Sequence, residues 1–257
     1  MKEKRSQLMK HYILDRHFVS LKELERHFNV SMNTVRRDIN QIIEDARFQK
    51  VYGGISVKKN PLVSFQNRNI ENKRAKQAIA KEAASLIKPH DLIYIDSGTT
   101  TKYILDYLPD DVQVSVITNS LDVILTSETK KNVSVFLIGH IYRKDTRSFV
   151  GADVNDLSTR YNVDKAFMAA TAVSIQNGIM NSDVIEYDIK KTILNKANSI
   201  YLLADKSKFD RSTLLTYADL DILDVIISDK LFNIDYQNYF QAHQIKSIYA
   251  NINDNIE

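Results

Sequence analysis

Three observations predict an α/β protein with a small helical unit ahead of a larger, sheet-based one. Charge is uneven along the chain: residues 1–58 carry twelve Lys/Arg against seven Asp/Glu, a net of +5, while the rest of the 257 residues sums to −2. Within those first residues, three helical periodicities run into a short Gly-Gly hairpin. From Asp91 onward, continuous apolar runs alternate with helical patterns. That alternation marks a mostly parallel sheet covered on both faces.

Composition narrows the function classes. Hydrophobic residues make up 44% and charged residues 26% of the chain, as in ordinary globular proteins. No apolar run approaches the roughly 18 residues of a membrane span. The basic start, Met1 to Gln7, has no apolar signal core behind it. The expected setting is therefore the cytoplasm, with no membrane partner. Cysteine is absent, which excludes disulfides and thiolate ligands, and the six histidines are scattered. No metal or cofactor is expected.

The elements follow in order. Leu8, Met9, Tyr12 and Ile13 recur at helical spacing between about Glu3 and Arg16. Ser20 is a natural N-cap, with Glu23 three residues on to complete a capping box. Leu21, Leu24 and Phe28 stripe a short second helix. Asn29-Val30-Ser31 forms the turn, and Ser31 caps a third helix from Met32 to about Asp45. On it Val35, Ile39 and Ile42 line one face. A rotation of about 100° per residue sends Asn33, Arg37, Asn40 and Gln41 to the other, with Thr34 and Arg36 flanking. Two short helices, a tight turn and a polar face without carboxylates between Met32 and Arg37 make a DNA-binding helix-turn-helix. Asn and Gln suit adenine edges, and Arg suits guanine or phosphate. Phe48 to Val57 then reads as two strands around Gly53-Gly54, a wing that brings Lys50 and Lys58 near the DNA backbone. The DNA-facing residues are thus Ser31, Asn33, Thr34, Arg36, Arg37, Asn40, Gln41 and Lys50, within a domain of residues 1–58.

Residues 59–72 read as a joint without strong periodicity, with Phe65 and Arg68 as its docking residues, and 73–257 as the second domain. Ala75, Ala78, Ile79, Ala83, Leu86 and Ile87 face a helix that Pro89 ends. Strand-like runs follow at Leu92–Ile95, Val112–Ile117, Val133–Ile138, Lys165–Ala170, Ile200–Ala204 and Val225–Ser228. Helical patterns stand at Thr101–Leu108, Leu121–Glu128 and Ile185–Lys196. In parallel sheets ligands bind beyond the carboxyl ends of the strands. There stand Asp96 with Ser97-Gly98-Thr99-Thr100, Thr118-Asn119-Ser120, Gly139, and Asp205-Lys206-Ser207-Lys208. A strand breaking into Asp-Ser-Gly-Thr-Thr and feeding a helix offers N–H groups to an anion, although each residue is equally a helix cap. Together these clusters suit one polar, phosphorylated ligand.

The segment Ser31-Met32-Asn33-Thr34-Val35-Arg36-Arg37-Asp38-Ile39, followed by Val51-Tyr52-Gly53-Gly54, resembles the winged-helix domain of the DeoR family of bacterial transcriptional repressors. The second half is similar to that family's sensor domain. The segments that carry the likeness are Asp96 to Thr101, Thr118-Asn119-Ser120, Arg147 to Gly151, Asp164 to Phe167 and Asp205 to Phe209. The resemblance implies an isomerase-like α/β fold that senses a phosphorylated sugar. It implies that Ser97 to Thr100 hold phosphate, that Asp96, Asn119 and Lys208 face the sugar, and that Arg147 is a further phosphate candidate. His140 after Gly139, and Ala172, depart from the family's glycines. Within the family the likeness is greatest to repressors of myo-inositol catabolism in Gram-positive bacteria, carried by Thr146 to Gly151, Asn181-Ser182-Asp183 with Glu186-Tyr187, and Leu214 to Ala218. It implies a phosphorylated sugar-acid effector.

The competing class is an active sugar-phosphate isomerase fused to a DNA-binding domain. The related isomerases carry acids at the end of a central strand, where this chain has Met168-Ala169-Ala170-Thr171-Ala172. The expected protein is therefore not an enzyme and has no catalytic residues. It is a repressor that binds operator DNA as a homodimer or homotetramer, matching two-fold half-sites.

Overall fold

The structure, a computed structural model, describes residues 2–16, 18–44, 48–51, 53–57, 65–151 and 161–252. Asp45, Tyr52, Lys58 and residues 59–64 of the expected joint lie outside the described residues. The chain divides into two compact units, Met1–Arg68 and Asn69–Glu257.

In the first unit, α1 (Lys2–Arg16), α2 (Leu21–Phe28) and α3 (Met32–Ile42) are joined by the strands β1 (Phe18–Ser20), β2 (Phe48–Val51) and β3 (Gly54–Val57). Ser20 caps α2 by accepting the Glu23 N–H at 3.1 Å, a bond worth about 1 kcal/mol. The reciprocal half of the expected capping box is not made. The Glu23 carboxylate instead accepts from the Tyr12 hydroxyl at 3.1 Å and lies 3.6 Å from Arg16, tying α2 to α1. Asn29 ends α2 in the left-handed conformation, φ 49°, and Ser31 caps α3. The third helix stops at Ile42, short of the expected Asp45.

The core of this unit holds Met9, Ile13, Val19, Leu24, Val35, Ile39, Ile42, Phe48 and Ile55. Asp38 is buried beside it, and the Arg5 guanidinium on α1 donates to its carboxylate at 2.7 Å. The wing has three antiparallel strands, ordered β1-β3-β2. The strand β1 is too short to show a period in sequence. Its pairing explains one glycine: a Cβ on Gly54 would lie 2.5 Å from the Val19 carbonyl oxygen.

Phe65–Ile70, expected to be irregular, forms the short helix α4, with the Arg68 guanidinium 5.7 Å from the Phe65 ring centroid. The second unit continues with α5 (Lys73–Ser85), β4 (Leu92–Ile95), β5 (Val114–Thr118), α6 (Leu121–Ser127), β6 (Val133–Leu137), β7 (Ile141–Arg143) and β8 (Ser148–Val150). Then come β9 (Val163–Ala169), β10 (Ala172–Ser174), β11 (Gly178–Asn181), α7 (Tyr187–Leu194) and β12 (Ala197–Leu203). The last elements are β13 (Leu215–Ala218), β14 (Val225–Ser228), α8 (Ile234–Ala242) and β15 (Lys246–Tyr249). Seven strands form one sheet in the order β15-β14-β12-β9-β4-β5-β6. Every neighbouring pair in it is parallel.

Both faces of the inner strands are buried, as their unbroken apolar runs require, while the edge strands β6 and β15 keep Phe136, Leu137 and Tyr249 exposed. Tyr94, Ile117, Ala166, Met168, Leu202 and Ile226 pack on one side with Ile189 and Ile193 of α7 and with Tyr236 and Phe240 of α8. Ile93, Ile95, Val116, Phe167 and Ile227 pack on the other with Ala78, Ile79 and Ala83 of α5. Two departures matter for function. The stretch Thr101–Leu108 is not an α-helix but two 3-10 turns, Thr101–Tyr103 and Leu105–Tyr107. Two small antiparallel sheets, β7-β8 and β10-β11-β13, stand apart from the main sheet. Their three- and four-residue strands carry too little alternation to be read from sequence.

Replacing Gly54 with Ala is expected to lower the stability of the first unit by about 1–3 kcal/mol, since the new methyl cannot fit against β1 without a shift. Thermal unfolding of the full chain, followed by a probe on the first unit, measures it.

Candidate DNA-binding face and effector site

The helix α3 presents Asn33, Arg36, Arg37, Asn40 and Gln41 to solvent, while Val35, Asp38, Ile39 and Ile42 face inward. The helical period thus separates the two faces as expected. Ser31 and Thr34 serve the turn itself: the Thr34 N–H donates to the Ser31 hydroxyl at 3.3 Å, and the two hydroxyls lie 3.0 Å apart. Asp38, inside the matching motif, faces the core and fastens α1 through Arg5. Lys50 on the wing reaches back to α3, and its ammonium donates to the Asn40 side-chain carbonyl at 2.5 Å. Sequence reading missed this bond because the partners are joined only once the wing folds over the helix.

In the second unit, the carboxyl ends of β4, β5 and β9 gather a polar cluster. Asp96, one step past β4, is fully buried. One carboxylate oxygen accepts the Ser97 N–H at 2.9 Å and lies 3.3 Å from the Tyr94 hydroxyl. The other accepts the Ala169 N–H at 2.9 Å and the Lys190 ammonium. The Tyr94 hydroxyl is also 3.1 Å from the Asn119 side-chain carbonyl, so its one proton is shared between two acceptors. Burial, with the Asp96 and Glu186 carboxylates nearby, holds the Tyr94 hydroxyl well above its ordinary pKa, and Tyr217 likewise. Both stay protonated donors.

Beside Asp96 lies a second carboxylate that the sequence reading left unplaced. Glu186, buried just ahead of α7, accepts from the Ser148 hydroxyl at 2.8 Å, the Ser97 hydroxyl at 3.3 Å and the Asn181 amide at 3.1 Å. Lys190 stands one helical turn later, so the N-cap of α7 and its first turn bring one acid and one ammonium into the cluster at the i, i+4 spacing. That Glu-x-x-x-Lys spacing was the available signal, although Asp188 and Lys191 on the same helix dilute it.

The loop Ser97–Thr100 closes tightly over the end of β9. A Cβ on Gly98 would lie 2.5 Å from that of Ala169 and 2.8 Å from the Thr101 hydroxyl. The Thr101 hydroxyl donates to the Asp96 carbonyl at 2.6 Å. No hydrogen bond among the described residues takes up the N–H groups of Gly98, Thr99 or Thr100. Since a 3-10 turn follows, an anion here would be met by these N–H groups and hydroxyls and not by an α-helix dipole.

The remaining expected residues divide. Thr118 ends β5 and is committed locally: its hydroxyl donates to the Ile95 carbonyl at 2.6 Å and accepts the Ser120 N–H at 3.0 Å. Asn119 is brought to the cluster through Tyr94, and its amide donates to the Phe149 carbonyl at 3.3 Å. Arg147 arrives because residues 147–149 pair with 119–121, through Leu121 N–H to Arg147 carbonyl and Phe149 N–H to Asn119 carbonyl. Its guanidinium grips Asp122 with three bonds of 2.6–3.2 Å.

Lys208 lies on the turn after β12. It faces Asp205, whose carboxylate accepts the Asn72 amide at 2.9 Å and the Ser207 N–H at 3.0 Å. Burial would raise the Asp205 pKa, but Lys208, the Ser207 bonds and Lys76 together hold it below the usual carboxylate range. Among the described residues no group of three metal-ligating side chains occurs, and no helix is long and apolar enough to cross a membrane.

Comparison with known proteins gives two family matches, a DeoR-like helix-turn-helix domain over residues 5–60 and a DeoR C-terminal sensor domain over residues 71–230. The chain is 49% identical over 246 residues to the HTH-type transcriptional regulator IolR of Bacillus subtilis, covering 95% of this chain and 98% of that one. It is 28% identical to the L-fucose operon activator of Haemophilus influenzae over the same shares. Among solved structures, ribose 5-phosphate isomerase A of Methanocaldococcus jannaschii aligns with a TM-score of 0.40 at 20% identity, over 54% of this chain and 55% of that one.

Removing one member of the buried Asp96–Lys190 pair strands the other in a dry site. Lys190→Met alone is expected to cost about 3–5 kcal/mol, and Asp96→Asn with Lys190→Met much less. Chemical denaturation of the three proteins decides it: equal losses in the single and double variants would show that the charges are not coupled.

Proposed function

We propose, on the premise that this chain belongs to the DeoR family of helix-turn-helix transcription regulators, that it represses a sugar-catabolic operon and leaves its operator when a phosphorylated sugar binds the strand-end cluster. The DNA-binding role is the family's. The operon is one of myo-inositol catabolism and the effector a phosphorylated sugar-acid intermediate of it, a reading supported by the segments around Arg147, Asn181 and Leu214 and by 49% identity to the IolR regulator.

One observation carries the effector site: a glycine-tight loop whose consecutive N–H groups at Gly98, Thr99 and Thr100 have no hydrogen-bond acceptor among the described residues and lie beside buried hydroxyls and amides. In this reading Ser97 to Thr100 take the phosphate. Asn119 and Lys208 face the sugar, and Arg147 moves from Asp122 toward the anion. Asp96, with all its hydrogen bonds spent inside the protein, shapes the loop instead of touching ligand. Thr118 does the same from β5.

Effector release requires that the ligand bind more tightly to a form poor at holding DNA, and DNA must then weaken ligand binding by the same factor. A homodimer or homotetramer in the cytoplasm, reading paired half-sites, is the assembly that matches a two-fold operator. Turnover is not part of this function. Among the described residues Glu186 is the carboxylate that joins Asp96 in the cluster, and its oxygens accept three protein bonds. An isomerase needs a general base free to reach a substrate C–H.

Two variants separate the halves. Arg37→Ala is expected to weaken operator binding by roughly tenfold or more and leave effector binding nearly unchanged. Thr99→Asp sets a carboxylate against the phosphate and is expected to give a protein that holds its operator and ignores effector. Operator binding with and without a panel of sugar and sugar-acid phosphates measures both. A Thr99→Asp protein that still responds would move the pocket elsewhere. Isomerisation of any panel member, lost on Glu186→Ala, would overturn the non-catalytic assignment.

A further inference from the structure

Between α3 and the wing lies a recess of about 280 Å³ lined by Leu21, Arg36, Ile39, Asn40, Lys50, Val51, Gly53 and Gly54. It has an apolar floor, two cations and an amide, and none of these eight residues is acidic. The Lys50 ammonium holds the Asn40 carbonyl at 2.5 Å. This bond decides what Asn40 can do. An Asn that reads adenine needs both ends of its amide, the oxygen for the N6 amino group and the nitrogen for N7. Here the ammonium already engages one lone pair of that oxygen and draws it toward the wing, while both N–H donors of the amide stay available. The ammonium has two further protons to give, and the Arg36 guanidinium lines the same recess. The side chains on offer are rich in donors, and their net charge is positive.

We propose that this recess seats one backbone phosphate of the operator, held jointly by Arg36, Asn40 and Lys50. It follows that Asn40 positions the protein on the duplex and does not read a base, which leaves Asn33 and Arg37 as the base readers nearer the start of α3. Lys50 is the positioning residue, because it orients the Asn40 amide so that its donors face the anion. This inference rests on the DNA-binding reading of α3 and goes beyond it by dividing the exposed face into base-reading and backbone-holding parts.

The test uses the full chain selected against a randomised duplex library, followed by titration of the winning duplex at several salt concentrations. Asn40→Asp, isosteric but anionic, is expected to lower affinity about tenfold, and Lys50→Met to flatten the salt dependence by about one ion. Neither should change the selected base at any position, whereas Arg37→Ala should relax the selection at one. A shift in selected base with Asn40→Asp would place Asn40 on a base edge and overturn the proposal. Unaltered affinity and salt slope in Asn40→Asp and Lys50→Met would overturn it too. Failure of the unaltered protein to bind any duplex would instead overturn the reading of α3 beneath it.

Discussion

The second unit depends on a charge buried where the central strand ends. Asp96 stands past β4, out of water, and its two oxygens receive the Ser97 and Ala169 N–H groups, the Tyr94 hydroxyl and the Lys190 ammonium. An unpaired carboxylate in such a place would be prohibitive, so the four donors must all arrive together. They come from β4, the following loop, β9 and α7. The pair therefore locks the helix to the sheet and holds the Ser97–Thr100 loop in its tight path. A loop so held can leave its N–H groups without a partner among the described residues and still keep its path.

The same helix places Glu186 against Ser97 and Ser148. The loop read as a receptor for an anion is thus bordered on one side by a carboxylate of the protein. A phosphate there would meet the N–H groups of Gly98 to Thr100 but also the repulsion of Glu186. In the proposed function, ligand entry and the position of α7 would be linked by charge, which would give an effector a means of favouring one arrangement of the unit over another.

How much was legible in the sequence follows from the range of the interactions. Ser20, Asn29 and Ser31 act on neighbours within three or four residues, so the turn and helix starts of the first unit could be read directly. The period of α3 separated Val35 and Ile39 from Arg37 and Asn33 for the same reason. The parallel sheet was legible because strands covered on both faces need unbroken apolar runs. Lys190, Glu186 and Lys50 were not legible in their roles, because their partners lie 94, 89 and 10 residues away and meet only after folding. Nor was the failure of Thr101–Leu108 to form an α-helix, since its apolar spacing suits either winding. Asp38 shows the converse, a residue of a DNA-binding motif whose work is to hold α1 in place.

The central claim is that the loop after β4 is the receptor for a phosphorylated sugar. Amide hydrogen exchange of the full chain, followed peptide by peptide with and without each of a panel of pentose, hexose and sugar-acid phosphates, tests it most directly. The account predicts that at least one of them slows exchange at Gly98, Thr99 and Thr100. Operator release by a sugar phosphate that leaves those three amides unchanged and protects another region would contradict it.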